Sequence, residues 1–215
     1  MRTPMKFSKI PTATITRLSI YSRYLEALAQ EGVKIIASDK LAQKCGINPA
    51  QIRKDLAYFG EFGIRGVGYF VKELLFEIKR ILGLNKSWKM ALVGIGNLGS
   101  ALLAHQNFIR QGYEFAAVFD VDPAKVGRRL PSGQQIYHLD ELEQVVKEKN
   151  IEIGVIATPA SQAQLVAQRL INAGIKAILN FAPIQLQVPE DMVVENVDFT
   201  VKLDNLAYHL TMGNA

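Results

Sequence analysis

The 215 residues contain one cysteine, one tryptophan and three histidines. A single Cys45 closes no internal disulfide, so packing has to hold the fold. It lies between Lys44 and Gly46 in a helical pattern and reads as a small core residue. His105, His138 and His209 share no ligand spacing, so no metal is expected. No run of eighteen apolar residues occurs, which excludes a hydrophobic membrane-spanning helix. The opening MRTPMKFSKIPTATITRL lacks the apolar centre and small-residue cleavage site of a secretory signal. These absences predict a protein of the reducing cytoplasm with no membrane partner. What is present is a composition 49% hydrophobic, enough for a sizeable core.

Charge is uneven. Residues 1–85 carry fourteen Lys and Arg against seven Asp and Glu, and the remainder eleven against thirteen. A basic N-terminal third on a near-neutral body implies a polyanion partner for that third alone; a solubilising surface is the plainer alternative. Residues 14–31 have the spacing of an amphipathic helix, with Ile15, Leu18, Tyr21, Leu25 and Leu28 on one face and Gly32 as its stop. SDKLAQKCGINPAQIRKDLAYFG (38–60) predicts two helices in close succession. Ser38 is the expected cap of the first and Gly46 its end; Asn48 caps the second, with Pro49 at its first position. Ile52, Leu56 and Phe59 form the expected buried stripe. Ala50, Gln51, Lys54, Ala57 and Tyr58 take the other side, with Arg53 on the flank.

Small residues interleaved with an amide, cations and a phenol suit a DNA groove: Gln and Arg reach base edges, and Lys neutralises phosphate. An ordinary helical hairpin with a solvated basic face has the same local pattern. FGEFGIRGVGYF (59–70) then reads as a glycine-punctuated hairpin with Arg65 at its tip, which makes the whole a winged helix-turn-helix. Residues 69–82 read as a further helix, and the domain closes near residue 85.

From Trp88 the periodicity changes. Strand-like runs at 89–94, 114–120, 152–157, 176–180 and 197–201 alternate with helical runs at 97–111, 139–149 and 161–173. This predicts a Rossmann-like, doubly wound parallel sheet over 86–201, with residues 202–215 as a terminal helix. MALVGIGNLGSALL (90–103) places Gly94, Ile95, Gly96, Asn97, Leu98 and Gly99 between a strand and a helix, the context in which GxGxxG binds a dinucleotide pyrophosphate. Asp120 and Val121 end the next strand, where an acid holds ribose hydroxyls and disfavours a 2′-phosphate. Ala157, Thr158 and Pro159, then Asn180, Phe181 and Ala182, lie at two further strand ends.

No substrate domain, Tyr-x-x-x-Lys pair or His–Asp dyad accompanies this pocket. The expected role is therefore a sensor of NAD(H) and not a catalyst. A small NAD-dependent oxidoreductase with a basic appendage, and a module for another nucleotide such as coenzyme A, remain alternatives.

ITRLSIYSRYL, IRKDLAYFGEFGIRGVGY, ALVGIGNLGSAL with FDVDP, GIKAILNFAP and VENVDF together resemble the Rex family of redox-sensing repressors across nearly the whole chain. The resemblance implies a homodimer that holds palindromic operator DNA when NADH is scarce and releases it when NADH binds. It also implies a C-terminal helix exchanged between subunits. It marks Arg17 as a switch residue able to pair with Asp198, and Phe199 as a neighbour of the nicotinamide. His105 stands where some relatives carry a switch tyrosine. Arg17, Ser38, Gln51, Arg53, Lys54, Tyr58 and Arg65 become the DNA-facing candidates.

Overall fold

Two compact units, divided after Lys86, make up the chain; the computed structural model describes residues 10–213. The first unit runs α1 (Thr12–Gln30), β1 (Ile35–Ile36), α2 (Ser38–Cys45), α3 (Pro49–Ala57), β2 (Tyr69–Phe70) and α4 (Val71–Ile81). Leu18, Tyr21 and Leu25 of α1 meet Leu41, Ile52, Leu56, Leu74 and Ile78 in one buried cluster. Asn48 caps α3 by accepting the N–H of Ala50 at 2.8 Å, and Pro49 sits where no N–H is required. Such a cap stabilises a helix by about 1 kcal/mol.

Ser38 is not the cap of α2. The first helical bond runs from the N–H of Leu41 to the carbonyl of Ala37, so Ala37 holds that position. The Ser38 hydroxyl instead accepts from the Arg53 guanidinium at 3.1 Å. The helix expected from residue 69 begins at Val71, because Tyr69 and Phe70 pair antiparallel with Ile36 and Ile35. This long-range pairing overrides local helical periodicity. The wing is shorter than the hairpin expected over 59–70. Ile64 and Gly68 exchange two backbone hydrogen bonds of 2.9 Å, leaving Arg65, Gly66 and Val67 as the turn.

The second unit runs β3 (Trp88–Val93), α5 (Asn97–Ala104), α6 (Asn107–Arg110), β4 (Tyr113–Asp120), β5 (Ile136–His138), α7 (Leu142–Lys149), β6 (Ile153–Ile156), α8 (Ala160–Asn172), β7 (Ala177–Asn180), β8 (Val193–Asn196) and α9 (Phe199–Met212). Its six strands are all parallel, in the order β5-β4-β3-β6-β7-β8. That is the doubly wound order, reversing between β3 and β6. Alternate residues of β3 feed opposite faces: Ala91 and Val93 join Phe119, Ile156 and Leu170, whereas Leu92 joins Val118 and Val155.

Two expected elements differ. The helix predicted over 97–111 breaks at His105, which is extended (φ −81°, ψ 95°), and the short α6 follows. Residues 199–201 are not a strand: the strand is Val193–Asn196, and Phe199 opens α9. The cause is local. Asp198 accepts the N–H of Thr200 at 2.8 Å and its hydroxyl at 2.6 Å, which caps a helix. Every described side chain of α9 is exposed, Leu206 at 60% and Leu210 at 71%. Among the described residues no helix is long and apolar enough to cross a membrane. None of their His, Cys, Asp and Glu side chains form a metal-holding group.

Candidate functional site

In the second unit the candidates gather at the carboxyl ends of β3, β4, β6 and β7, where the strand order reverses. Gly94 leaves β3 with φ +96°, a left-handed conformation, and a Cβ there would lie 2.7 Å from the carbonyl oxygen of Ala157. Gly99, on the first turn of α5, is closer still: its Cβ would sit 2.1 Å from the Gly94 carbonyl oxygen. Gly96 faces open space, and no side chain caps α5 there. An uncapped helix start with room beside it is what a phosphate group requires. Asn97 and Leu98 are exposed at this edge, whereas Ile95 is buried. Across from the glycines, the Thr158 hydroxyl is buried without a hydrogen-bond partner, alone in this among the described side chains. A buried hydroxyl in that state costs stability, and a bound ligand would satisfy it.

Asp120 is more occupied than its sequence position suggests. Its Oδ2 accepts the N–H of Ile95 at 2.9 Å and pairs with Lys125 at 3.2 Å. Its Oδ1 accepts the N–H groups of Val121 and Asp122 at 2.8 and 2.9 Å. Burial pushes this carboxyl up, but the hydrogen bonds from Asp122 and Ile95, with Lys125, outweigh it and hold it below the ordinary carboxylate range. The carboxylate therefore fastens the glycine turn to the end of β4. Asn180 is also engaged internally. Fully buried, it donates to the carbonyls of Ala182 and Ile184 and to Asn196 of β8, and it accepts the N–H of Ala182. It shapes the β7 end and offers no free group to a ligand. Phe181 and the exposed Phe199 lie with ring centroids 6.4 Å apart; Val121 and Pro159 are exposed.

In the first unit, α3 turns Ala50, Arg53, Lys54, Ala57 and Tyr58 to solvent. A cleft of about 540 Å³ separates it from the wing, lined by Arg53, Ala57, Ile64, Arg65 and Val67. Exposed Arg65 and Arg53 supply positive charge on both sides of the cleft, and Lys54 is exposed on α3.

The residue that sequence reading passed over is Asp55. It is fully buried on α3 and receives five hydrogen bonds: two from Arg17 at 2.6 and 2.7 Å, and one each from Tyr21, Gln51 and Thr14 at 2.8, 2.8 and 3.1 Å. Burial alone would raise this carboxyl, yet the donors hold it at about 2. Tyr21 is shifted up by its own burial and by Asp55. Asp55 falls three residues after Ile52, on the buried stripe, and an acid there was the available signal. Arg17 thus has its partner on α3, and Asp198 has its own in Thr200. His105 packs edge-on against Phe108 with centroids 5.6 Å apart.

A family profile described as CoA binding domain matches residues 85–184, and one described as putative DNA-binding protein N-terminus matches residues 9–57. The chain is 64% identical over 210 residues to a protein of Syntrophobacter fumaroxidans named redox-sensing transcriptional repressor Rex, with 98% of this chain and all of that one covered. It is 53% identical to a protein of Carboxydothermus hydrogenoformans of the same name, over 96% and 99% of the two chains. Among solved structures, RSP in complex with β-NAD+ and operator DNA superposes with a TM-score of 0.91 at 38% identity, covering 96% of this chain and 95% of that one. RSP in complex with β-NADH gives 0.86 at 37% identity, covering 96% and 97%.

Proposed function

This chain belongs to the Rex family of redox-sensing transcriptional repressors, and from that membership we propose how its two units divide the work. It is a DNA-binding repressor that senses the NADH/NAD+ balance, and not an enzyme. The observation that carries the reading is the glycine turn at the sheet's reversal point, with its uncapped helix start and the orphaned Thr158 hydroxyl opposite. There the N–H groups at the start of α5 hold the pyrophosphate of NAD(H), Thr158 supplies a hydrogen bond, and Asp120 stands at the ribose. Phe181 and Phe199 flank the nicotinamide, the part that differs in charge and shape between the two redox states. A ligand shifts an equilibrium only by its differential affinity for two states, so the discriminating contacts belong at this ring.

α3 and the wing read operator DNA, and the basic first unit supplies the phosphate contacts. The exposed apolar side chains of α9 support a homodimer in which this helix is covered by a second copy. A two-fold dimer reads a palindrome, since two equal heads meet two equal half-sites. Arg17 and Asp198, the switch residues that the family resemblance marks, are the candidates for coupling NADH binding to release. The protein works in the cytoplasm, where this cofactor pool and the operators coexist.

Fluorescence anisotropy of a labelled operator, titrated separately with NADH, NADPH and coenzyme A, tests the function: NADH is to release the DNA at the lowest concentration. Equal potency of coenzyme A or NADPH would overturn it. In the same assay Asp120→Ala is to weaken NADH by roughly tenfold and narrow its advantage over NADPH, because the Ile95 N–H loses its acceptor and a negative charge leaves the ribose side. An unchanged NADH-to-NADPH ratio would remove Asp120 from cofactor selection. For the DNA side, Lys54→Ala is to weaken operator binding and reduce the salt slope of log K by about 1, as for one lost phosphate contact. Arg65→Ala is to reduce preference for A·T-rich flanks. Unchanged binding curves for both variants would displace the interface from α3 and the wing.

A further inference from the structure

Gln51 lies in the first turn of α3 on the face shared by the buried Asp55 and the exposed Lys54, and its amide is not free to turn. Its Nε2 donates to Asp55 Oδ1 at 2.8 Å. Asp55 also takes donors from Arg17, Tyr21 and Thr14, so it is an ionised, acceptor-only carboxylate. An amide carbonyl turned toward it would set two acceptors against each other, and only the NH2 end fits. The orientation of Gln51, which density alone often leaves ambiguous in proteins, is here dictated by its neighbour. Gln51 Oε1 then lies away from Asp55. It meets no protein donor among the described residues, and it is not among their buried unpaired atoms, so it is open to solvent. One helical turn on are Lys54 and Asp55, so the same turn of α3 carries a cation, the fixed acceptor and the carboxylate that fixes it.

We propose that Gln51 is a specificity-determining residue whose amide, held by Asp55, presents its carbonyl oxygen to the major groove and accepts a hydrogen bond from the exocyclic amino group of a base. The amino groups available there are N6 of adenine and N4 of cytosine; guanine and thymine present only acceptors at the corresponding edge. Held this way, Gln51 Oε1 selects an amino-bearing base on the strand it faces, whereas a freely turning amide could set either its oxygen or its NH2 at that point. The inference rests on the reading of α3 as the DNA-reading helix.

The test uses the full-length protein. A duplex operator is selected from a randomised library with the wild type, and the base pair at which Gln51→Ala loses discrimination is identified. The adenine or cytosine of that pair is then replaced by purine or 2-pyrimidinone, which lack only the amino group. Wild-type affinity is expected to fall about three- to tenfold, the range of one net hydrogen bond, while Gln51→Ala binds the two duplexes equally. Two results would overturn the assignment: no base pair loses discrimination in Gln51→Ala, or the wild type tolerates the amino-free base as well as the natural one. Both leave DNA reading by α3 intact. A wild type that selects no sequence at all would overturn the assignment together with the DNA-reading function beneath it.

Discussion

Asp55→Ala is expected to lower the stability of the first unit by about 3–5 kcal/mol, the cost of removing one partner from a buried ion pair. Against a domain stability of about 5–15 kcal/mol this is close to unfolding. Arg17, Tyr21, Gln51 and Thr14 all aim donors at the vacated position, and Tyr21 is itself fully buried, so its hydroxyl is left without an acceptor. The single tryptophan, Trp88, opens β3 in the other unit. Its fluorescence therefore follows the second unit, and amide exchange in α1 and α3 is the measurement that isolates the first. Loss of less than about 1 kcal/mol would mean that the network is incidental.

Acid gives an independent reading of the same carboxylate. Its folded pKa is about 2 against an ordinary 3.8. Its contribution is therefore complete above about pH 4 and is lost as pH falls through 2. Asp55→Asn, which keeps the volume, is to lack this component, so its stability between pH 4 and 2 declines less steeply than that of the wild type. Parallel declines would assign the acid sensitivity to other carboxylates.

Gly99→Ala carries the second large effect. A methyl group 2.1 Å from the Gly94 carbonyl cannot be accommodated without displacing α5 from β3, because the obstacle is backbone and not a side chain that can rotate. Overpacking of this kind costs about 1–3 kcal/mol. Since the displaced helix start is the proposed phosphate site, NADH affinity is expected to fall about ten- to a hundredfold. Gly99 belongs to the second unit, so operator affinity without NADH is to stay near that of the wild type. The variant would then hold its operator at NADH concentrations that release the parent. NADH binding unchanged in isothermal titration would place the pyrophosphate elsewhere.

Reading from sequence succeeded where a local pattern and the fold require the same thing. Asn48-Pro49 marked the start of α3 because an N-cap and a proline at the first position act within three residues. The Gly94–Gly99 motif between an apolar run and a helix marked the junction of β3 and α5 because strand, turn and helix are contiguous. It failed where a local signal had a competitor. Phe199, Thr200 and Val201 have strand propensity, but Asp198 caps the Thr200 N–H and starts α9 instead. Tyr69 and Phe70 fit a helical stripe, yet pairing with Ile35 and Ile36 makes them a strand. β5 went unread because three residues are too few to show a period.

The sequence by itself determined the two-part architecture, the basic character of the first part and the glycine turn between β3 and α5 of the second, since composition, periodicity and contiguous motifs are properties of neighbours along the chain. Only the tertiary structure decided which polar side chains are free to meet a ligand. Asn180 and Asp120 stand at expected strand ends, and much of their hydrogen-bonding capacity goes to groups around them, backbone and Asn196 for the first, backbone and Lys125 for the second. Thr158, in a similar position, is left unsatisfied. Asp55, which the sequence reading passed over, is the buried acceptor that joins α1 to α3. Hydrogen-bond capacity is used up by partners brought together from distant parts of the chain, Thr14 and Arg17 with Asp55 or Ile95 with Asp120, and that accounting exists only once the chain has folded.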